Sequence, residues 1–171
     1  MNIPVLHTER LTLRAHRLDD FTALSAMWAD PVTTRYIGGK PATTEESWTR
    51  LLRYAGHWTM LRFGYWAIEE RSSGHYVGEA GFADYKRTHE SSVKNLPETG
   101  WVIAPQSHGK GYATEAVRAA LEWGDANFAD TKTTCLIEPG NLVSIKVAEK
   151  CGYREFERTV YKGAPGIVFV R

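Results

Sequence analysis

The sequence predicts an α/β or α+β fold, a mixed sheet of about seven strands with about four helices packed on it. Apolar spacing switches along the chain between period-two runs and 3.6-residue stripes, in the order β-α-α-β-β-β-α-β-α-β-β. A strand-like run, Gly100-Trp101-Val102-Ile103, passes through a glycine-containing loop into the most regular helix of the chain. A length of 171 residues suits one domain spanning 1–171, with a core large enough to be stable alone. No internal repeat, low-complexity tract or linker interrupts it.

The first strand is Leu11-Thr12-Leu13-Arg14, which alternates apolar and polar as a half-buried strand does. Asp19 or Asp20 is placed to cap a helix carrying Phe21, Leu24, Ala26, Met27 and Trp28, and Asp30-Pro31 stops it. Gly38-Gly39-Lys40-Pro41 reads as a turn. Thr43 or Thr44, followed by Glu45 and Glu46, starts a second helix running to about Thr59. Tyr65 to Ile68 and Tyr76 to Phe82 are strands separated by the turn Arg71-Ser72-Ser73-Gly74; Gly78 and Gly81 mark a bulge or a close backbone approach. The polar stretch 84–97 reads as a loop, and Thr99 to Ala104 as a strand stopped by Pro105. The third helix shows the stripe Ala113, Ala116, Val117, Ala120, Leu121, Gly124, Phe128. A strand at Thr133 to Glu138 follows, then a helix with Asn141 as N-cap and Gly152 beyond its end. Two last strands, Tyr153 to Tyr161 and Ile167 to Val170, are joined by Lys162 to Gly166.

Composition excludes several functions. Twenty-one basic and twenty acidic residues leave a net charge of +1, so nothing points to nucleic acid or an anionic membrane surface. No apolar run approaches the roughly 20 residues that span a bilayer. Residues 1–7 lack the basic start and apolar stretch of a signal peptide, so the expected address is the cytoplasm. Cys135 and Cys151 have neither a CxxC partner nor neighbouring His ligands; they read as buried free thiols, and no metal is expected. Six Trp and eight Tyr are many for this length, and core packing accounts for most of them.

The chemistry-bearing run is Gln106-Ser107-His108-Gly109-Lys110-Gly111-Tyr112-Ala113. A glycine loop opening a helix turns backbone N–H groups toward an anion, and the helix dipole adds positive charge there. A Walker A loop is excluded, because Lys110 lies between the glycines and no hydroxyl follows it. A dinucleotide fingerprint fails at its third glycine, where Thr114 stands, and the element order is wrong for it. The plain alternative is that Gly109 and Gly111 merely cap a helix.

The remaining pattern, Gln-x-x-Gly-x-Gly between a strand and a helix, resembles the acetyl-CoA pyrophosphate loop of the GNAT N-acetyltransferase superfamily. Downstream, Asn141-Leu142-Val143-Ser144 through Val147, Glu149-Lys150 and Gly152-Tyr153 resembles that family's N-x-x-S-x-x-V-x-E-K-x-G-[FY] segment. Thr8-Glu9-Arg10-Leu11-Thr12-Leu13-Arg14 with Asp19-Asp20-Phe21, and the strand Glu98-Thr99-Gly100-Trp101-Val102-Ile103, resemble the ribosomal-protein N-terminal acetyltransferase branch, the RimJ/RimL type. The similarity runs from Thr8 to Val170.

The resemblance implies a GNAT fold with a mostly antiparallel sheet, and an enzyme moving acetyl from acetyl-CoA to a primary amine by direct attack in a ternary complex. It also implies that backbone groups of Trp101, Val102 and Ile103 pair with the pantetheine arm, and that amides from His108 to Ala113, including Gly109, Lys110, Gly111 and Tyr112, hold the pyrophosphate. Gln106 would orient the loop. Lys110 would add charge near a phosphate or remain a solvated loop lysine. Asn141 and Ser144 would face the pantetheine and the sulfur. Glu98, at the start of the thioester strand, is the first candidate base, directly or through water, and Glu79 on the neighbouring strand the second. Where many members carry a tyrosine acid this chain has Ala148, so Ser144 is carried over as the thiolate's partner. The acceptor, a protein N-terminus or a small molecule, is expected between the first two helices, the 84–97 loop and the 162–166 turn, near Tyr36, Trp58, Tyr85 and Trp101. A homodimer is compatible with the resemblance. A non-catalytic acyl-CoA sensor would carry the same loop.

Overall fold

The computed structural model describes residues 3–88, 91–129 and 131–171. Eight strands form one sheet in the order β1-β2-β3-β4-β5-β6-β8-β7: β1 (Leu6–His7), β2 (Leu11–Arg14), β3 (Tyr65–Glu70), β4 (Tyr76–Ala83), β5 (Glu98–Ile103), β6 (Thr134–Ile137), β7 (Arg154–Tyr161) and β8 (Ala164–Val170). Every neighbouring pair is antiparallel except β5 and β6. Five helices complete the chain: α1 (Phe21–Trp28), α2 (Pro31–Thr34), α3 (Thr44–Leu61), α4 (Tyr112–Asn127) and α5 (Leu142–Lys150). β1 and the single turn α2 are additions to the sequence reading. Two residues carry no period, and Pro31, before which α1 ends as expected, also opens α2 at a position where its missing N–H costs nothing.

Alternating side chains divide the core between the two faces of the sheet. One face holds Trp66, Ile68, Ala80, Phe82 and Ile103 against Ala116, Val117, Ala120 and Leu121 of α4 and Val147 and Ala148 of α5. The other holds Tyr65, Ala83 and Val102 against Leu24, Met27 and Trp28 of α1 and Leu51 and Tyr54 of α3. The tryptophans do pack as core: Trp58, Trp66 and Trp123 meet edge to face at 4.8–5.5 Å between ring centres. Trp58, 3 % exposed, is thereby removed from the acceptor side.

Local signals were honoured where a side chain had one short-range partner. Thr43 and Glu46 form a reciprocal capping box on α3. Asn141 caps α5, its Oδ1 accepting from the Ser144 N–H at 3.2 Å. At the other end of α5, Gly152 is left-handed and Tyr153 N–H reaches back to the Ala148 carbonyl, a Schellman closure. Asp20 departs from expectation. Its carboxylate does not cap α1 but takes Arg14 through two 2.8 Å bonds and the Arg17 N–H at 2.7 Å. A guanidinium offers a stronger, bidentate partner than a backbone amide. α3 ends two residues late, on Arg62 in the left-handed region, where no glycine announced it. The last hairpin is tighter than predicted. Lys162 and Gly163, both at positive φ, turn the chain alone, and Ala164-Pro165-Gly166 already belong to β8. Among its described residues, the 84–97 stretch holds no helix or strand; the expectation for His89 and Glu90 lies outside the described residues. No described helix is long and apolar enough to cross a membrane.

Candidate active site

β5 and β6 are the one parallel pair, and among the described residues they pair only at Glu98↔Thr134. Beyond that point the two strands separate, and the helices that follow them, α4 and α5, both begin at the open end. A crevice outside the carboxyl ends of diverging parallel strands is where open α/β sheets bind ligands. Strand alternation assigns the free edge. The Ala104 N–H bonds back to Val77 of β4, so Gly100 and Val102 also direct their backbone groups to β4, and Trp101 and Ile103 direct theirs into the opening.

At the open end, Pro105–Ser107 makes a 3-10 turn, and Gly109 and Gly111 adopt φ of 76° and 81°. Gly111 is the N-cap of α4 and brings no side-chain cap. Three first-turn amides, Tyr112, Ala113 and Thr114, thus point at the opening with no capping side chain, unlike those of α3 and α5. This arrangement is an anion cradle. Its fixing bonds differ from those expected. Gln106 is exposed on the turn, and His108 Nε2 instead ties the loop to the Ile103 carbonyl at 2.7 Å. Arg10 bonds the Lys110 carbonyl at 2.8 Å and the Glu115 carboxylate at 2.5–2.7 Å. Lys110 turns its ammonium toward Glu70, 3.5 Å away, so what it offers the cradle is its backbone N–H. The Tyr112 hydroxyl also goes to Glu70, whose carboxyl is held down to about 2 chiefly by the Ser73 and Tyr112 hydroxyls. A cleft of about 720 Å³ opens beside Gly111, lined by Arg10, Thr114, Arg118 and Lys150 among others.

Asn141 and Ser144 lie at the start of α5, on the β6 side of the opening. Glu98 lies at the closed end. Four residue steps along β6 and its exit lead from Thr134, the partner of Glu98, to Glu138, a rise of roughly 13 Å. The two predicted catalytic residues thus stand on opposite sides of the opening, Glu98 at the start of β5 and Ser144 in the first turn of α5. Glu98 is also held by Arg87, whose Nε donates to its Oε2 at 2.5 Å and Nη2 to its Oε1 at 2.6 Å. Glu79, the second candidate, is 0 % exposed on the opposite sheet face from α4. It accepts from Trp28 Nε1 at 3.1 Å, from the Tyr76 hydroxyl at 3.0 Å and from the Tyr54 hydroxyl, and burial raises its pKa. Both cysteines are buried and free, and desolvation raises the pKa of each thiol.

The residues sequence reasoning missed are Arg10, Arg50, Arg53 and Arg87. Arg10 lay inside the Thr8–Arg14 motif without a role of its own, the other three belong to no motif, and Arg10, Arg50 and Arg53 each meet partners distant in the chain. Of the expected acceptor walls, α3, the 84–97 loop and the last hairpin touch one another. Arg53 of α3 and Arg87 of the loop both stack on Tyr85, and Arg87 also lies 4.6 Å from the ring centre of Tyr161 in the last hairpin. Tyr36 packs beside Gly140 at the start of α5, and Trp101 turns toward the α4 face.

Comparison with known proteins agrees with this geometry. The model of the acetyltransferase (GNAT) domain family matches residues 10–154. The uncharacterized protein YkkB of Bacillus subtilis is 31% identical over 161 residues, covering 92% of this chain and 88% of its own. Among solved structures, a protein from Bordetella pertussis described as a GnaT-family acetyltransferase is 30% identical with a TM-score of 0.86, covering 98% of this chain and 99% of its own. An acetyltransferase from Agrobacterium tumefaciens is 26% identical with a TM-score of 0.85, covering 100% and 95%.

Proposed function

The chain belongs to the GNAT acetyltransferases, enzymes that use acetyl-CoA, and from that premise we propose that it acetylates a primary amine by direct attack in a ternary complex. On the Thr8–Arg14 and Glu98–Ile103 motifs we assign it to the RimJ/RimL-type branch, whose acceptors are α-amines. The single observation that carries the reading is the uncapped, glycine-opened α4 at the mouth of the β5/β6 opening.

In this proposal the amides from His108 to Ala113 hold the pyrophosphate, and the cleft beside Gly111, with Arg118 and Lys150, takes the nucleotide end. Backbone groups of Trp101 and Ile103 extend the sheet onto the pantetheine arm, and Val102 keeps β5 fixed to β4. An N–H on this edge polarises the thioester carbonyl. Acetyl-CoA supplies an activated acyl group on a good leaving thiol. Asn141 orients the start of α5, and Ser144 faces the sulfur. Both thiols are buried and held protonated, which supports direct transfer over an acetyl-enzyme on cysteine.

An α-amine with pKa near 8 costs about 1 kcal/mol to deprotonate at pH 7, against roughly 4–5 kcal/mol for a lysine side chain. A strong base is thus dispensable, and Glu98 is proposed to receive the proton directly or through water at a lone pair that Arg87 leaves open. The test is release of free thiol from acetyl-CoA with a panel of amines. Thiol should appear only with an acceptor and in equal amount to acetylated amine; thiol release without amine, at one equivalent per enzyme, would contradict direct attack. Glu98→Gln should lose activity most at low pH, where protonated amine predominates, and an unchanged profile would clear Glu98 of the role.

A further inference from the structure

The acceptor side of the opening carries an excess of arginine that the transfer reaction does not require. Arg53 lies 5.2 Å and Arg87 4.7 Å from the centre of the Tyr85 ring, so one aromatic ring gathers two guanidinium groups. Arg50, one turn before Arg53 on α3, lies 3.4 Å over the Trp28 ring and adjoins Tyr54. The Nε atoms of Arg50 and Arg53 are buried and have no hydrogen-bond partner among the described residues.

The carboxylates near them are already committed. Glu98 is clamped by Arg87, Asp84 pairs with Lys86 at 2.7 Å, and Glu79 faces two phenols and an indole. Among the described residues no carboxylate lies within ion-pair distance of Arg50 or Arg53, although the buried Glu79 acts on Arg50 through space. Arg53 has no such neighbour among them, and the planar fork of a partly desolvated guanidinium suits an oxyanion.

The cluster also has a line to the reacting strand. The Tyr85 and Tyr65 side chains are neighbours, and the Tyr65 hydroxyl sits directly over Gly100, where an added Cβ would lie 1.9 Å from it. Gly100 immediately precedes Trp101, whose backbone faces the opening.

Resting on the acetyltransferase reading, we propose that Arg50 and Arg53 beside Tyr85 form an oxyanion-binding acceptor subsite, so that the amine substrate carries a carboxylate or phosphate near its amino group. Polyamines and aminoglycoside-like polycations are disfavoured, because like charges would be brought onto the arginines. Acylation proceeds as before: the amine nitrogen forms the new C–N bond, the C–S bond breaks, and one proton leaves the nitrogen as the thiol departs.

The test compares matched acceptors with the full chain and acetyl-CoA. The pairs are an α-amino acid against its amide, phosphoethanolamine against ethanolamine, and a peptide starting with Asp against one starting with Asn; spermidine is the polycation. The oxyanion member of at least one pair should show roughly ten- to a hundredfold higher kcat/KM, the amount expected of a hydrogen bond to a charged group. Which pair responds separates amino-acid, phosphate and peptide sources. Arg53→Gln should raise KM for that acceptor by a similar factor with acetyl-CoA affinity by calorimetry unchanged, and Arg53→Lys should restore part of it. Equal or better use of the neutral or polycationic amines, or no transfer to any acceptor while acetyl-CoA still binds, would overturn the subsite. Failure to bind acetyl-CoA at all would instead overturn the acetyltransferase reading. Should the Arg53 variants not fold, the paired acceptors on the unaltered chain decide.

Discussion

Gly111→Trp is expected to abolish acetyl-CoA binding in calorimetry, weakening it a hundredfold or more, while the protein stays folded. Gly111 sits at φ 81°, and a Cβ there meets only Arg10 Nη2 at 3.5 Å, so the fold has room for a side chain. The left-handed backbone costs a non-glycine residue about 1–2 kcal/mol, which lowers the melting temperature by only a few degrees in a chain of this size. The indole, however, enters the cleft lined by Arg10, Thr114 and Arg118, beside the first-turn amides of α4. Those amides have no capping side chain to fall back on, and their function in this account is to meet phosphate oxygens. A folded Gly111→Trp protein that binds acetyl-CoA with undiminished affinity would show that the cradle is only a helix cap.

The second large effect concerns Glu79. Glu79→Ala removes the acceptor of Trp28 Nε1–H and of the Tyr54 and Tyr76 hydroxyls in a site with no solvent access. Each buried donor left unpaired costs about 1–3 kcal/mol. The total takes up much of the 5–15 kcal/mol by which a domain is stable. This variant should be unfolded or melt far below the parent. Glu79→Gln should fold and retain transfer activity within a few-fold. Its carbonyl oxygen still accepts, and the Tyr76 hydroxyl can rotate to receive the new amide N–H. Burial raises the Glu79 pKa, and an amide of the same shape keeps the acceptor that Trp28 and Tyr54 use. Loss of activity in a stable Glu79→Gln protein would restore Glu79 as a base and contradict its assignment as a structural acceptor.

The contrast between Gly111 and Glu79 shows what the sequence could express. The Gly109–Gly111 loop, the Asn141 cap and the Thr43–Glu46 capping box are each written within a few residues, and each was legible. So was the α4 stripe, because its period is local. The β5/β6 separation was not, since it depends on pairing confined to Glu98↔Thr134, residues 36 positions apart in a register set by the whole sheet. Arg10 shows the same limit. It stood in the Thr8–Arg14 motif with no role attached, yet it anchors the Lys110 carbonyl and Glu115 from 100 and 105 residues away. Glu98 was located correctly on its strand, but its clamp by Arg87 lay beyond reach of any spacing argument. Asp20 was assigned a local duty and found a stronger charged partner in Arg14, and Lys110, read as a phosphate contact or a solvated loop lysine, lies 3.5 Å from Glu70. The last hairpin was misjudged for a related reason. Pro165 suggested a loop, but β8 pairs with β6 only from Ile167 onward, so the missing N–H of Pro165 falls where no ladder needs it.

The central claim is that the opening between β5 and β6, closed at Glu98 and cradled by α4 at its mouth, is the acetyl-CoA site. A crystal structure of the full chain with coenzyme A tests it most directly. The account predicts pyrophosphate oxygens within hydrogen-bond distance of amides between His108 and Ala113, and the pantetheine arm along the Trp101–Ile103 edge with its sulfur toward the Ser144 side. Coenzyme A bound elsewhere, for example in the groove between α5 and β7, with the α4 amides left to water, would contradict it.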